Sequence, residues 1–476
     1  MRSHATSPTP WKTCSEGGAV SDGPEYYDAP PRVEVWVMDP AAEGFRLDKT
    51  PLNALNPLQA AHVANAFTLG SRSNGRLNND RLYPVGPGMV WLNITQWITS
   101  IRTSQSQQDT ADMAPDAGSC EIRFLNAPSF TTLPVYAGTP IRIIRTGALK
   151  HYLTGEWLTE DEIAWCGHVE DISETWDKTT ARKTTTLTAV DGVARLSDIT
   201  RYGRRGEGVW IGCLRDLLTS SPYADLPIGL PFQRTPPPGG EPWCCGTVYE
   251  GPLSRHISMV AATAGLIWNV IPDPSGTTSD IGPVDPGAGI GESRQRLRLV
   301  DPATVRKPQV VLTDLPYDEA GIVDYRTPMP YTGIEIAGGT RAITSVVELT
   351  AHRISDDGHD ESVNTTHANP TALEQWGVRT ARVDAVPMPG DENRVAGYIL
   401  DRSADAAARP VSVTLHGRHA IESGTMPIRM LTAVDVFRLG HRYRCLVVGV
   451  QNRWEIITDP YPRHKHTVTL KLARRA

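Results

Sequence analysis

The chain has 476 residues, 40% hydrophobic and 21% charged, with a formal net charge of −6; that is too much chain for one ordinary core and calls for roughly two to four globular domains. A mildly acidic balance with no basic block argues against a nucleic-acid clamp and is compatible with a wall past which a polyanion slides without sticking. No apolar run approaches the ~20 residues that cross a bilayer, and residues 1–22 are polar without the apolar centre of a signal peptide, so the expectation is a soluble chain not exported by an N-terminal signal.

Residues 1–32 read as a flexible arm, because they offer little to bury. The stretch 33–89 reads as an N-terminal extension. It opens on an alternating strand at 33–38, and its Leu52, Leu55, Leu58, Ala61, Val63 and Phe67 have helical spacing, interrupted by Asn56 and Pro57. A polar Asn/Gly/Arg-rich loop follows at 71–81.

A first β unit spans 90–200. Strands are expected at 90–94, 97–102, 120–126, 141–145, 165–172 and 184–190, with a polar loop over 103–119. Gly138, Thr139 and Pro140 make the turn that launches the fourth of these, and Asp191 and Gly192 cap the Thr-rich last one. Six or so short strands favour closure, which removes exposed edges, so a small β-barrel is expected.

Residues 201–308 read as a small helix and strand insertion with Pro/Gly-rich loops. Cys213, Leu214, Leu217 and Leu218 mark a short helix, and the Pro-rich excursion at 222–242 cannot form a helix interior or a central strand. Leu253, Ile257, Val260, Ala261 and Ala264 share one helical face that Gly265 stops, and 266–271 is an apolar strand. A second Pro/Gly loop covers 272–292. A mixed α/β middle domain spans 309–408, with strands at 309–312, 334–336 and 345–349 and a helix at 391–408. Residues 409–476 return to alternating strands, at 411–415, 427–436, 443–450 and 467–472, the remainder of a second barrel. The first and last units share a strand, turn, strand and Thr-rich closing strand, which reads as a duplicated module.

The motifs carry little chemistry. Gly287, Gly289 and Gly291 lack the preceding strand and following helix of a phosphate loop. Asp356, Asp357, Gly358, His359 and Asp360 lack the ligand order of a calcium loop and read as a solvated turn between strands. His464 and His466 share one side of a strand, and two imidazoles alone rarely hold a metal, so they read as an exposed entry to the last strand. No hydrolase elbow, zincin helix or P-loop is present. The seven cysteines (Cys14, Cys120, Cys166, Cys213, Cys244, Cys245 and Cys445) include no C-x-x-C pair. Cys120, Cys166 and Cys445 read as small buried hydrophobes; adjacent Cys244 and Cys245 fit a local disulfide or free thiols, a reducing compartment being the simpler reading. Trp91, Trp97, Trp165, Trp176, Trp268, Trp376 and Trp454 lie mostly in or near strands, as core packing or as anchors of a subunit interface. No residue is assigned as catalytic, cofactor-binding or metal-ligating, and no cofactor is expected.

The order of these pieces resembles the baseplate hub (tail-associated) proteins of phage tail tips, the minor tail proteins of actinobacterial siphophages. The residues that carry it are 120–126, 138–143, 167–171 with Trp176, and 187–196 in the first unit. Residues 253–271 look like the family's middle insertion, and 446–472 like its last barrel. The likeness covers most of 90–476; the long N-terminal part and the two Pro/Gly excursions depart from it. It implies a mainly β fold with an α+β insertion, two tube-type β-barrel domains flanking smaller mixed domains. It also implies a structural, non-enzymatic virion protein, assembled in the host cytoplasm into the tail tip. Hub proteins are similar to one another in forming homotrimers, whose two barrels per chain make a pseudo-sixfold ring between tail tube and tip. The implied partners are a distal tail protein, the tape measure protein and other tail-tip or fibre proteins, with DNA crossing the channel without specific binding. Two other readings are a sixfold distal tail adaptor, with one barrel per subunit, and a cell-wall hydrolase or carbohydrate-binding tip, motivated by scattered carboxylates and Trp residues.

Overall fold

The computed structural model describes residues 26–28, 31–38, 76–78, 81–83, 89–108, 113–127, 135–150, 157–219, 228–229, 240–272, 295–302, 308–315, 328–338, 343–355, 357–403, 409–419, 421–423, 426–457 and 463–474. The helical spacing at 52–67, the glycine run at 287–291, Cys14 and Asp356 lie outside the described residues.

The chain is mainly β. The first unit comprises β1 (Tyr26–Asp28), β2 (Arg32–Met38), β3 (Met89–Asn93), β4 (Ile98–Ser106), β5 (Ser119–Leu125), β6 (Pro140–Lys150), β7 (Trp157–Asp177) and β8 (Arg182–Val190). Strict alternation places Cys120, Ile122 and Phe124 of β5 inside; beside them lie Ile98 of β4 and, past a register shift, Ile101 and Thr103. Strand β4 runs past the expected boundary at 102, because 103–106 pair with 449–452 and 103–104 also pair with 119–120. Gly138 adopts φ 87°, a left-handed conformation suited to glycine, and the turn closes when Gly138 N donates to Val169 O at 2.7 Å.

The insertion follows, with α1 (Gly192–Asp198), α2 (Trp210–Thr219), α3 (Leu253–Thr263), β9 (Ile267–Pro272) and β10 (Gln295–Val300). Gly265, at φ 70°, ends α3 as the sequence predicts. Strand β9 is buried on both faces: Trp268 and Val270 join the insertion's core with Leu214, Leu217, Ile257 and Val260, while Ile267 and Ile271 join the last unit's core.

The remaining elements are β11 (Val310–Thr313), β12 (Gly333–Ala337), β13 (Val346–Ile354), β14 (Asp360–Ala368), α4 (Pro370–Trp376), β15 (Thr380–Ala385), α5 (Glu392–Ser403), β16 (Arg409–His416), β17 (Ala433–Arg438), β18 (His441–Ile457) and β19 (Arg463–Arg474). Strands β14, β13 and β15 form a separate sheet in that order, packed on α5 through Val347, Leu349, Val383, Val395 and Ile399. The Asp/Gly/His segment expected to be a turn joins β13 to β14, with Gly358 N donating to Ser355 O at 2.8 Å.

The principal sheet has 15 strands and runs β11-β17-β18-β4-β5-β8-β7-β6-β2-β3, with the two-residue strand Met329–Pro330 pairing beyond β11; β19, β16 and β12 branch from β18, and β1 pairs with β6. The expected barrels are not closed by hydrogen bonds, since the path among the described residues ends at β3 on one side and beyond β11 on the other. The sheet instead curls. Val33 and Val35 of β2 share one core with Ile98 and Ile101 of β4, although four strands separate β2 from β4 along the sheet, so its side chains converge as in a barrel without the closing ladder. The last unit has its own core, from Leu312, Val413, Val434, Leu446 and Leu470.

Candidate functional site

The feature the sequence did not show is how the first and last units join. Strand β18 is 17 residues long and serves three neighbours. Its residues 441–446 pair with β17, residues 445–457 pair with β19, and residues 449–455 pair antiparallel with 100–106 of β4. A β-bulge at Val448 lets this happen. The register shifts between Val447 and Gly449, and Val448 O turns to accept from Gln107 N at 2.7 Å. The last unit is thus stitched to the first by backbone hydrogen bonds.

The two faces of this seam differ. On the inner face, Trp454 of β18 is fully buried among the first unit's core residues, opposite Ile101. His466 stacks on it, ring centroids 4.3 Å apart. Its Nε2 lies 3.2 Å from Asn452 Oδ1, and Asn452 Nδ2 donates to Thr103 Oγ1 at 3.2 Å. His466 therefore does not mark an exposed strand entry: it is 2% exposed, because the strand places its side chain on the seam's core side while Lys465 faces out. Trp165 and Trp268 are likewise buried, Trp97 is half-buried against the first core, and Trp176 is 61% exposed.

The outer face is polar across six neighbouring strands. One cross-strand row reads Thr467, Arg453, Arg102, Glu121, Thr188, Asp171. The next reads Lys465, Glu455, Ser100, Arg123, Thr186, Ser173. The Thr residues of β8 alternate between this face and the core, where Thr185 is fully buried. The face is indented over the seam by a cleft of about 440 Å³ lined by Arg102, Gln451, Arg453, Glu455, Lys465, Thr467 and Thr469. A smaller cleft of about 170 Å³ adjoins it, adding Glu121 and Arg123. Arg453 pairs with Glu455 at 2.5 Å and Arg123 with Glu121 at 2.8 Å.

Side chains, not a ladder, join the insertion to the first unit. Gln105 Nε2 donates to Asp191 Oδ2 at 3.0 Å and to Val270 O at 3.2 Å, Gln107 Nε2 to Trp268 O at 2.9 Å, and Gln295 Nε2 to Cys166 O at 3.0 Å. Asp191, which caps α1 by accepting from Val193 N, also accepts from Gly118 N. Burial pushes its carboxyl above the usual range, while these bonds oppose the shift.

Three residues that no motif connected also meet. His352 of β13 lies 3.1 Å, through Nδ1, from Ser362 Oγ on β14, and 3.7 Å, through Nε2, from Asp384 Oδ1 on β15. Arg255 of α3 donates to Asp384 Oδ2 at 2.8 Å. The residue types are those of a nucleophilic triad, but 3.7 Å is too long for the bond that orients a catalytic imidazole, and Asp384 is engaged by Arg255. His352 and Arg255 hold its carboxyl down to about 2, so the cluster reads as an ion-pair clasp between α3 and the small sheet. No group of three or more metal-ligating side chains occurs among the described residues. Cys244 and Cys245 are free, buried thiols, and burial pushes the Cys244 thiol up to about 12, so it stays protonated and unreactive. No described helix is long and apolar enough to cross a membrane.

No family model matches the sequence, and no curated protein matches it. Solved structures to which the chain is similar include the 43 kDa tail protein of prophage MuSo2 from Shewanella oneidensis, 13% identical over 83% of this chain and 96% of that one, TM-score 0.45. A tail protein from Neisseria meningitidis is 11% identical over 82% and 94%, TM-score 0.49. A prophage tail protein from Listeria monocytogenes is 12% identical over 82% and 93%, TM-score 0.40.

Proposed function

We propose that this chain is a structural subunit of a phage tail tip, a hub that assembles as a homotrimer and joins the tail tube to the tip. The observation that carries the reading is the seam. Two curled sheet units of one chain stand side by side and share a ladder, so one chain supplies two neighbouring staves of a ring. Three such chains give a pseudo-sixfold wall, and the polar outer face of the seam lines its bore, where DNA and the tape measure pass. Strands β3 and β12 each pair on one side only among the described residues, and such edges are where chains of a ring meet head to tail. Two units per chain favour this hub over a sixfold adaptor with one. The reading agrees with the names of the matched structures and rests on the seam and on the order of motifs in the sequence.

The test is assembly. Mass photometry and negative-stain images of the purified chain, alone and with its tail-tube neighbours, are expected to show a threefold ring of three times the 52.0 kDa chain mass. A sixfold ring supports the adaptor instead, and a chain that stays monomeric in both conditions ends both.

A further inference from the structure

Arg453 and Arg102 stand directly opposite one another across the seam. Both are exposed on the outer face, between the buried pairs formed by Ile101 and Thr103 on β4 and by Asn452 and Trp454 on β18. Like charges directly opposite on neighbouring strands are destabilising. Arg453 is partly neutralised by Glu455. Arg102 and Lys465 make no ion pair among the described residues. The two clefts together hold four cations, Arg102, Arg123, Arg453 and Lys465, against the carboxylates Glu121 and Glu455. On its other side Arg102 faces Glu121, whose carboxylate is taken by Arg123, so the Arg102–Arg453 opposition is left without a carboxylate of its own.

We propose that the larger cleft is a binding site for the carboxylate of an acidic polypeptide segment, gripped between Arg102 and Arg453 with Lys465 as the third cation. The chemistry fits at three levels. Paired guanidinium groups present donors in the planar fork that matches a carboxylate. Thr467, Thr469 and Gln451 offer hydroxyl and amide groups to the backbone around the acid. The lining is free of large apolar side chains, so the anchor is polar. Nucleic acid fits poorly, because Glu121 and Glu455 interrupt the cations and would repel successive phosphates of an evenly charged backbone. The inference rests on the hub reading only for the placement of this face inside a ring; the binding itself belongs to a single chain.

The test uses the full chain in low salt, with fluorescence anisotropy of a labelled Ser/Gly peptide bearing spaced Glu residues. Its Gln counterpart, inorganic phosphate and a short DNA duplex serve as competitors. The Glu peptide is expected to bind, the Gln peptide to bind about tenfold or more weakly, and Arg102→Gln and Lys465→Gln each to lower affinity several-fold, in keeping with the strength of charge-assisted hydrogen bonds. Both side chains are exposed, so the thermal midpoint of each variant should match the parent, and Arg102→Lys should recover part of the binding. Equal binding of the Glu and Gln peptides, no binding of either, competition by phosphate at peptide concentrations, or tighter binding of the duplex would each overturn the proposal. A monomer that binds the Glu peptide keeps the site and loses the hub; a threefold ring that ignores it keeps the hub and loses the site.

Discussion

The first unit is joined twice, and the two joints are built differently. To the last unit it is joined by a backbone ladder between β4 and β18 with Trp454 driven into its core. To the insertion it is joined by amide side chains, Gln105, Gln107 and Gln295, reaching across to carbonyl and carboxylate oxygens. A ladder fixes register and spacing at every residue, so the two curled units behave as one body. Side-chain bonds fix only a few points, and each contributes little net stability on its own. The seam is the part built to hold a shape, and the insertion is the part that tolerates variation around it.

Four experiments would break or sharpen that contrast. Trp454→Ala is expected to cost about 3–5 kcal/mol, the usual loss for a large buried aromatic, seen as a lower denaturant midpoint together with faster hydrogen exchange at 100–106. Unchanged exchange there would show that the ladder holds without its plug. Acid should separate the two joints. His256 of α3 is 3% exposed and edge-on to Tyr249, and burial, with Arg255 nearby, pushes its pKa down from 6.5 to about 4. Its contribution to stability is thus complete above pH 6.5 and falls as pH drops toward 4, by on the order of 2–3 kcal/mol. Exchange protection at 253–263 should fade over that window before protection at 449–455 does, and His256→Phe should flatten the dependence. Gln107→Ala leaves Trp268 O without its donor and should cost about 1–2 kcal/mol, again with the loss confined to the insertion. Asp384→Asn is the mildest. Because Asp384 titrates near 2 when folded, the clasp is present above the ordinary Asp range near 3.9 and is lost as pH falls toward 2; with 40% of the side chain exposed, the change should stay under about 1 kcal/mol. A larger loss from Asp384→Asn than from Gln107→Ala would invert the ranking.

Local pattern revealed the elements but not their joining. Residues 120–125 alternate so strictly that β5 follows from the sequence alone, and α3 follows from Leu253, Ile257 and Val260 with Gly265 behind them. Strand β14 is harder to see. Its Ser362, Asn364 and Thr366 face solvent, and its inward positions alternate with them without a strong apolar series, so no hydrophobic period exists to find. The seam was invisible for a different reason. Asn452 and Thr103, which touch across it, are 349 positions apart, and nothing local to either names the other. The same holds for Trp454, whose place in a strand was legible while its place in the other unit's core was not. The polar face had one trace in the sequence, the alternating Thr residues of β8, but the opposition of Arg102 and Arg453 depends on a register that only the fold reveals.

The bulge at Val448 has a mechanical consequence. Because β18 passes unbroken from one core to the next, tension applied along its axis loads the rungs of the seam together in shear, whereas a pull across it would peel them one after another. Two units that share a continuous strand resist being drawn past one another along it far better than they resist being pried apart sideways.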